Sequence, residues 1–292
     1  MSNASLVELT FSFSQPKLTP ALVQFLKQQG FERSEIIETS QKNLHSVRVY
    51  LPGKAHRLEK IRIALELQGY SRVKFSCRSM KLSDWADKWK EDYVIQTLGR
   101  QFVLVPSWRK NEFKEKDYKK RIPILMDPQS AFGSGEHETT RLIVKMLEKL
   151  SGKFKSFIDV GTGTGILSIV AAHLSAERIL AFDCDKPSVK CADFNFRRNV
   201  SKSILASFKC WELARFKSMR KFDLVCANIN SHILERHRRQ IVTAAKKGGY
   251  VLVSGILHQT YKSFRDAFDG KDLRCMKVLK GRRWVAVLFR KF

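Results

Sequence analysis

Residues 157–165 read Phe-Ile-Asp-Val-Gly-Thr-Gly-Thr-Gly, and a second apolar run, 178–183, reads Arg-Ile-Leu-Ala-Phe-Asp. An apolar run, a glycine turn, a helical stretch and a second apolar run predict a strand–turn–helix–strand unit. Glycines let the turn bend tightly and bring its backbone close to a ligand. Asp183 lies about twenty residues further on, where a carboxylate accepts hydrogen bonds from ribose hydroxyls. The stretch therefore predicts a nucleoside site in an α/β fold.

The glycine spacing indicates which nucleoside cofactor the turn suits. Gly161, Gly163 and Gly165 alternate with other residues, and Ile166 stands where the dinucleotide fingerprint has its last glycine. The pattern favours S-adenosylmethionine over NAD.

Outward from this unit, apolar strand-like and helix-like segments alternate from Thr139 to the C-terminus. Such alternation predicts a mostly parallel sheet, covered on both faces, with ligands at the carboxyl ends of its strands. We predict a Rossmann-like domain with a seven-stranded sheet. Six of the strands lie near 156–160, 178–182, 222–227, 249–255, 275–279 and 284–290, and the helices lie near 140–150, 166–174, 187–199, 233–246 and from about 261.

The N-terminal part has a different order. Strand-like segments at 7–13, 36–37, 45–51 and 73–77 and helix-like segments at 19–29 and 56–68 give βαββαβ. We therefore predict a small α+β, ferredoxin-like domain over 1–78 that serves substrate recognition. Residues 79–105 form a linker helix and a connecting strand, and 106–292 form the cofactor domain. Trp85 and Trp89 share one face of the linker helix, and either pack between domains or lie near the acceptor.

Amino-acid composition, net charge and cysteine spacing restrict the class of protein to which this chain can belong. Hydrophobic residues make up 43% of the chain, which fits a soluble globular protein, and no segment has a membrane-span or signal-peptide layout. The formal charge of +26 indicates either work near nucleic acid or solvated basic faces. The six cysteines include no C-x-x-C pair, which predicts reduced, buried thiols, a cytoplasmic location and no metal site.

Three further motifs carry a family resemblance. Residues 126–140 read Met-Asp-Pro-Gln-Ser-Ala-Phe-Gly-Ser-Gly-Glu-His-Glu-Thr-Thr, residues 225–234 read Val-Cys-Ala-Asn-Ile-Asn-Ser-His-Ile-Leu, and 183–185 read Asp-Cys-Asp. Together with the glycine turn, and from about residue 81 onward, they resemble the PrmA family. These are class I S-adenosylmethionine-dependent methyltransferases acting on the eleventh large-subunit ribosomal protein. The N-terminal domain agrees with the family in layout more than in residues.

The resemblance implies that Thr140, Gly161, Asp183 and Asn228 contact S-adenosylmethionine. Each residue type suits that role. The backbone around Gly161 and Gly163 can approach the methionine part, and the following helix offers N–H groups to its carboxylate. Asp183 suits the ribose diol. Thr140 offers a hydroxyl at a helix start, where an ordinary helix cap is the alternative.

Two residues are candidates for the transfer itself. Asn228 directly follows a buried strand, where its amide carbonyl could position an incoming amine; an ordinary turn residue is the alternative. A lysine acceptor has a pKa of about 10.4 and must lose its proton, which burial in an apolar channel promotes. We therefore expect no dedicated base. His137 is the best candidate if one exists, and the alternative for it is a role in organising the loop.

The chain departs from the family at Glu136, Glu138 and Asn230-Ser231, and in its strong positive charge. The acidic pair either attracts a cationic lysine or is solvated.

The leading hypothesis is methylation of lysine ε-amino groups, with the N-terminal α-amino group as a second acceptor, on a large-subunit ribosomal protein. The alternative is methylation of ribosomal or other RNA, although Ile229 and Asn230 provide no base-stacking platform. The third hypothesis is a non-enzymatic domain that binds the cofactor or the ribosome without catalysing transfer. We expect a monomer that contacts ribosomal RNA through its basic surface and does not associate with membranes.

Overall fold

The computed structural model describes residues 5–15, 18–28, 36–41, 44–52, 73–81, 93–128, 135–201, 203–217 and 220–292. The chain divides into two compact units, Met1–Tyr93 and Val94–Phe292. This division lies within the predicted connection 79–105. The predicted helix at 56–68 and the helix segment with Trp85 and Trp89 lie outside the described residues. None of the described helices is long and apolar enough to cross a membrane.

The first unit contains a small antiparallel sheet. Its strand order is β2-β3-β1-β4, and β1 pairs antiparallel with both β3 and β4. Leu9, Phe11 and Phe13 alternate along β1 and are buried, which is the period expected when one face of a strand meets the core. This order confirms the predicted α+β, ferredoxin-like arrangement. The elements are β1 (Ser5–Phe13), α1 (Leu18–Gln28), β2 (Ile36–Gln41), β3 (Leu44–Pro52) and β4 (Lys74–Lys81).

The second unit begins with a three-stranded sheet and continues into alternating helices and strands. The small sheet contains β5 (Gln96–Leu98), β6 (Phe102–Pro106) and β7 (Ile122–Met126). The later elements are α2 (Glu138–Lys149), β8 (Ser156–Val160), α3 (Ile166–Leu174), β9 (Arg178–Asp183), α4 (Lys186–Asn199), β10 (Leu205–Cys210), β11 (Phe222–Asn228), α5 (Ser231–Arg236), α6 (Arg238–Ala244), β12 (Ala245–Leu257), α7 (Tyr261–Phe268), β13 (Leu273–Lys280) and β14 (Trp284–Lys291).

These later strands form one seven-stranded sheet in the order β10-β9-β8-β11-β12-β14-β13. Only the pairings of β14 are antiparallel; the four pairings from β10 to β12 are parallel. The predicted Rossmann-like, mostly parallel sheet is confirmed. The order of the strands reverses between β8 and β11, and ligands of open α/β sheets bind at the carboxyl edge beside such a reversal.

Two apolar clusters cover the two faces of this sheet. Phe157, Leu224 and Leu252 lie in one cluster, and their neighbours Ile158, Val225 and Val253 lie in the other. Because successive side chains of a strand point to opposite faces, nearly continuous apolar runs are what a doubly covered parallel sheet requires. The first cluster also contains residues of α2, α3 and the small sheet, and the second contains residues of α5, α6 and α7.

The structure differs from the sequence prediction in two local respects. The single helix predicted over 233–246 is wrong: two short helices, α5 and α6, meet at His237, and β12 begins directly at Ala245. His237 has φ −112° and ψ 22°, outside the regular helix, although no glycine or proline marks the break. In addition, β5, β7 and β10 are strands that the sequence pattern did not predict.

The amino ends of the central strands are joined by Asp223 of β11. One carboxylate oxygen accepts the N–H groups of Lys155 and Ser156 at 3.0 and 2.8 Å, and the other accepts the Lys246 ammonium at 2.6 Å. Burial opposes ionisation, but the donors from Lys246 and Ser156 outweigh it and hold the pKa of Asp223 at about 2. The ionised carboxylate therefore links β8, β11 and β12.

We expect Asp223→Asn to lower the free energy of unfolding at pH 7 by about 1–2 kcal/mol, because hydrogen bonds to a charged group are lost. A carboxyl whose folded pKa is depressed stabilises above its unfolded value of 3.8, and that stabilisation is lost as pH falls toward about 2. The difference in free energy of unfolding between wild type and variant, measured by urea unfolding, should therefore shrink as pH falls from 3.8 toward about 2. Asp193→Asn, in an exposed pair with Arg197, is the control; an equal effect of both substitutions would contradict the assignment.

Candidate active site

The glycine turn follows β8 and lies at the carboxyl edge of the sheet. Gly161, Gly163 and Gly165 have φ of 71°, 53° and 83°, in the left-handed region that favours glycine. The N–H groups of Gly161 and Thr162 donate to the carbonyl of Phe182 at 2.9 and 3.0 Å. These two bonds hold the turn against the end of β9, and the turn then leads into α3.

Asp183 is the last residue of β9 and contacts the glycine turn directly. Its Oδ2 accepts the N–H of Gly163 at 3.0 Å, and its Oδ1 accepts the N–H of Asp185 at 3.1 Å. The side chain is half-buried at the strand end. The structure thus brings together the two features that the sequence paired, and it places a carboxylate next to a backbone that a ligand can approach.

Asp159 is a further acidic residue of the site, for which the sequence pattern predicted no role. It lies within β8, with one carboxylate oxygen accepting the hydroxyls of Thr162 and Ser168 at 2.9 and 2.7 Å. Among the described residues its other oxygen, Oδ1, is buried and has no hydrogen-bond partner. Burial raises the pKa of Asp159 to about 6. A buried carboxylate oxygen of this kind suits a cationic group of a ligand.

Ile229 lies between two glycines beside this site. A β-carbon on Gly161 would overlap the Ile229 side chain, and one on Gly255 would lie 2.7 Å from the Ile229 carbonyl carbon and closer still to its oxygen. Gly255, in β12, also has φ of 91°. The segment after β11 therefore follows its path only because the glycine turn and β12 present bare backbone to it.

Thr140 and Asn228, which are 88 residues apart, meet at the same edge of the sheet. Asn228 ends β11, and its Nδ2 donates to the hydroxyl of Thr140 at 3.4 Å. Thr140 is buried in the first turn of α2, and Asn228 is half-buried. Since the amide nitrogen faces Thr140, the carbonyl of the same amide points away from α2. The predicted cofactor and acceptor residues are thus adjacent, while their roles stay predictions.

His137 is the N-cap of α2. Its Nδ1 lies 2.8 Å from the Thr139 hydroxyl and 3.4 Å from the Thr139 nitrogen, which donates to it. The ring also packs edge-on against Trp284, with centroids 5.2 Å apart. Burial lowers the pKa of His137, as does nearby Arg283, while Glu138 opposes both. These contacts agree with a role in organising the loop, and the lowered pKa favours the neutral imidazole.

The two acidic departures from the family have structural partners. The Glu138 carboxylate accepts the backbone N–H groups of Arg282 and Arg283, the latter at 3.1 Å, in the turn between β13 and β14. Burial opposes its ionisation, but these backbone donors outweigh it and lower the pKa of Glu138. The carboxylate of Glu136 accepts the side-chain amide of Gln96. Neither side chain is merely solvated.

A cavity of about 430 Å³ lies beyond Asp183, at the carboxyl ends of β9 and β10. Its lining includes Cys184, Cys210, Trp211 and Phe216, together with charged side chains from 212 to 217. The volume lies within the range of roughly 300–1,000 Å³ typical of small-ligand pockets. Cys184 and Cys210 are exposed, so the prediction that the cysteines are buried is wrong for these two. Both lie at strand ends, where an apolar neighbourhood in sequence does not imply burial.

The sheet order, the glycine turn with its carboxylate, and the adjoining cavity define a class I S-adenosylmethionine-dependent methyltransferase domain. Comparison with known proteins identifies the family. The model of the family "Ribosomal protein L11 methyltransferase (PrmA)" matches residues 18–292. The chain belongs to this family.

Individual relatives agree with that assignment. The ribosomal protein L11 methyltransferase of Macrococcus caseolyticus is 32% identical over 221 residues, which is 76% of this chain and 70% of the relative. The Staphylococcus aureus protein of the same name is 32% identical over 219 residues, 75% of this chain and 69% of the relative. The crystal structure of the ribosomal protein L11 methylase from Lactobacillus delbrueckii subsp. bulgaricus superposes with a TM-score of 0.61 at 29% identity, covering 68% of this chain and all of that one.

The cofactor that the family uses fits the residues at this edge of the sheet. The glycine turn has positive φ at Gly161, Gly163 and Gly165 and leads into the N-terminus of α3, and a carboxylate lies beside it at the end of β9. The unpartnered oxygen of Asp159 provides a further polar position close to the turn. Sequence could have indicated Asp159, because a charged residue inside an otherwise apolar, fully buried strand requires a partner.

Proposed function

We propose that this protein transfers methyl groups from S-adenosylmethionine to lysine ε-amino groups of ribosomal protein L11, with its N-terminal α-amino group as a second acceptor. The observation that carries the proposal is the meeting of Thr140 and Asn228 beside the glycine turn, in a chain of the PrmA family. The relatives named above support L11 as the substrate. A cytoplasmic location and a role for the N-terminal unit in recognising the substrate follow as parts of the same proposal.

We assign the cofactor to the residues around the turn. Gly161 and Gly163 receive the methionine part, Asp183 accepts the ribose hydroxyls, and Asp159 receives the α-ammonium group. The cavity beyond Asp183 takes the adenine, next to the rings of Trp211 and Phe216. When bound, S-adenosylmethionine supplies an activated methyl group, so the protein's contribution is mainly to position the acceptor.

Asn228 positions that acceptor. Because the Nδ2 of Asn228 is hydrogen-bonded to Thr140, the carbonyl oxygen of the same amide is oriented to accept a hydrogen bond from an incoming amine. The attacking amine must be neutral. Burial lowers the pKa of a lysine, so the lysine can lose its proton to water without a dedicated base. His137, as a helix cap with a lowered pKa, supports the structure of the loop in this proposal.

For Asn228→Ala we expect kcat to fall by about tenfold or more, the scale of one lost hydrogen bond to the reacting group. Affinity for S-adenosylmethionine should fall less. Steady-state kinetics and calorimetry separate the two quantities. Asn230→Ala, at an exposed helix cap two residues on, is the matched control and should change kcat less. An equal loss in both variants would argue against the positioning role.

His137→Asn tests the alternative of a catalytic base. Asparagine is a good helix N-cap, so α2 remains capped. We expect the rate to fall by less than about tenfold, whereas loss of a general base costs about 10²–10⁴-fold. The measurement is the pH–rate profile of wild type and variant. A loss of that larger size in a folded variant, with a pH limb removed, would identify His137 as the base.

We further propose that the protein acts as a monomer and contacts ribosomal RNA through basic surface. Lys149, at the end of α2, lies against Lys277 of the edge strand β13, and the Lys277 contact together with Arg100 lowers the pKa of Lys149. Exposed cations grouped in this way favour phosphate contacts. Binding to ribosomal RNA that weakens steeply with added salt, and sedimentation as a single chain, are the expected results.

The substrate is tested with radiolabelled S-adenosylmethionine and large ribosomal subunits from cells lacking L11 methylation. Label should enter protein L11 and not RNA. The RNA methyltransferase alternative predicts the reverse partition. A protein that binds the cofactor but transfers label to neither fraction would be a non-catalytic binding domain. Free L11 in a parallel reaction shows whether the ribosome is needed.

A further inference from the structure

Asn195 is a fully buried polar residue on the face of α4 that packs against the glycine turn. Its Nδ2 donates to the carbonyl oxygens of Asp127 and Thr164 at 3.0 and 3.1 Å, and its Oδ1 accepts the N–H of Asp127 at 3.0 Å. One side-chain amide therefore satisfies three backbone groups in two segments that are distant in sequence. A buried amide whose hydrogen bonds are all made holds the groups around it in one arrangement.

Both of these segments belong to the proposed site or lead into it. Thr164 is the fourth residue of the glycine turn at 161–165. Asp127 directly follows β7 and is the second residue of the motif at 126–140, which ends at Thr140. The amide thus joins the turn where we place the methionine part of the cofactor to the strand end from which the chain continues toward the acceptor residues.

The helix can make this link because it packs closely on the turn. A β-carbon on Gly165 would lie 2.9 Å from the Cα of Ala192 and 3.0 Å from its carbonyl oxygen. Ala192 and Asn195 are three residues apart and therefore share one face of α4. At the start of the helix, the Asp185 carboxylate caps it by accepting the N–H of Ser188 at 2.9 Å. The position of α4 is therefore fixed, and Asn195 transmits that position to the two segments.

Asn199 provides a comparison within the same helix. Its Oδ1 accepts the N–H of Leu125 at 2.7 Å, and its Nδ2 donates to the Leu125 carbonyl at 2.8 Å. The same Nδ2 donates to the backbone carbonyl of Asn195 at 2.7 Å. These bonds of the Asn199 side chain reach β7 and α4, whereas those of Asn195 also reach Thr164 in the glycine turn. The contact with the turn is therefore what distinguishes the two amides.

We propose that Asn195 is a positioning residue for the cofactor, which holds the glycine turn in its binding conformation and aligns it with the segment that leads to Thr140. This inference rests on the proposed cofactor site. Asn195 acts through the carbonyl of Thr164 and does not itself touch the ligand. When the turn is displaced, its backbone groups no longer lie at hydrogen-bonding distance from the ligand, and binding weakens.

The test compares Asn195→Ala with Asn199→Ala in methyl transfer to L11 over a range of S-adenosylmethionine concentrations. We expect Asn195→Ala to raise KM for the cofactor by about tenfold, because small misplacements of binding groups have large effects. At saturating cofactor, kcat should fall by less than about threefold, and Asn199→Ala should change KM by less than about twofold. Calorimetry with S-adenosylhomocysteine should give the same order of affinities.

These quantities distinguish positioning from a purely structural role. Loss of stability alone lowers the fraction of folded enzyme and hence kcat, and it leaves KM unchanged. An unchanged KM in Asn195→Ala, or an equal rise of KM in both variants, would overturn the proposal. Failure of the wild-type protein to bind S-adenosylhomocysteine would instead refute the proposed cofactor site, so the two failures are distinguishable.

Two further measurements decide the question if Asn195→Ala does not fold. Asn195→Asp has nearly the same volume and keeps an acceptor for the Asp127 N–H, but it loses the amide donors to both carbonyls, so KM should rise at least as much. In the wild-type protein, saturating S-adenosylhomocysteine should slow hydrogen exchange at the Asp127 N–H more than at the Leu125 N–H. Equal protection of these two N–H groups would count against the proposed link.

Discussion

Asp183→Ala is expected to weaken binding of S-adenosylmethionine by about a hundredfold or more, because two hydrogen bonds from the ribose hydroxyls to a charged acceptor are lost. The substitution also removes the acceptor for the N–H of Gly163. The glycine turn therefore loses a hydrogen bond in addition to those that the ligand loses. Calorimetric titration of the cofactor and of S-adenosylhomocysteine measures the change in affinity.

Two further variants separate these contributions. Asp183→Asn keeps an oxygen that can accept the Gly163 N–H but removes the charge, and an intermediate affinity is expected. Asp193→Ala, on the exposed side of α4 in an ion pair with Arg197, controls for loss of an acidic side chain nearby. Unchanged affinity in Asp183→Ala would show that the nucleoside binds elsewhere.

Gly255→Ala is expected to lower the free energy of unfolding by about 3 kcal/mol or more, from backbone strain and steric overlap together. At φ of 91° a side chain is strained, and the new β-carbon would overlap the backbone of Ile229, which cannot move as a flexible side chain would. Urea unfolding of the full chain measures the loss. Because Ile229 follows Asn228, transfer activity at low temperature should fall as well.

Gly152→Ala is the matched control for the contribution of backbone strain. Gly152 also has a positive φ, of 77°, but a β-carbon there meets nothing within 4 Å. The cost should therefore be about 1 kcal/mol, that of the left-handed conformation alone. Equal destabilisation at the two glycines would contradict the account of close packing around Ile229.

The central features of the site could be predicted because they depend on local chemistry. A turn that needs positive φ at three positions requires glycine, and a carboxylate at the end of an apolar run lies at the carboxyl edge of a parallel sheet. The sequence thus predicted that Gly161 and Asp183 lie at one edge of the sheet without showing which strands are neighbours. Thr140 and Asn228 were identified through the family resemblance, and only the fold shows that their side chains meet.

Other features depend on contacts that sequence does not contain. The edge strand β10 is largely exposed, so it has no apolar alternation by which to be recognised. The break at His237 has no proline or glycine to mark it, and the folded chain determines it. The packing of Gly161 and Gly255 around Ile229 joins three separate segments. The exposure of Cys184 and Cys210 likewise follows from their position where strands leave the sheet.

The crystal structure of this protein with S-adenosylhomocysteine tests the central claim most directly. The account predicts the ligand across the carboxyl edge of the sheet, with its ribose hydroxyls on Asp183, its methionine part along Gly161 and Gly163, and its sulfur facing Asn228. A ligand bound with Asp183 and the glycine turn free of contact would contradict it.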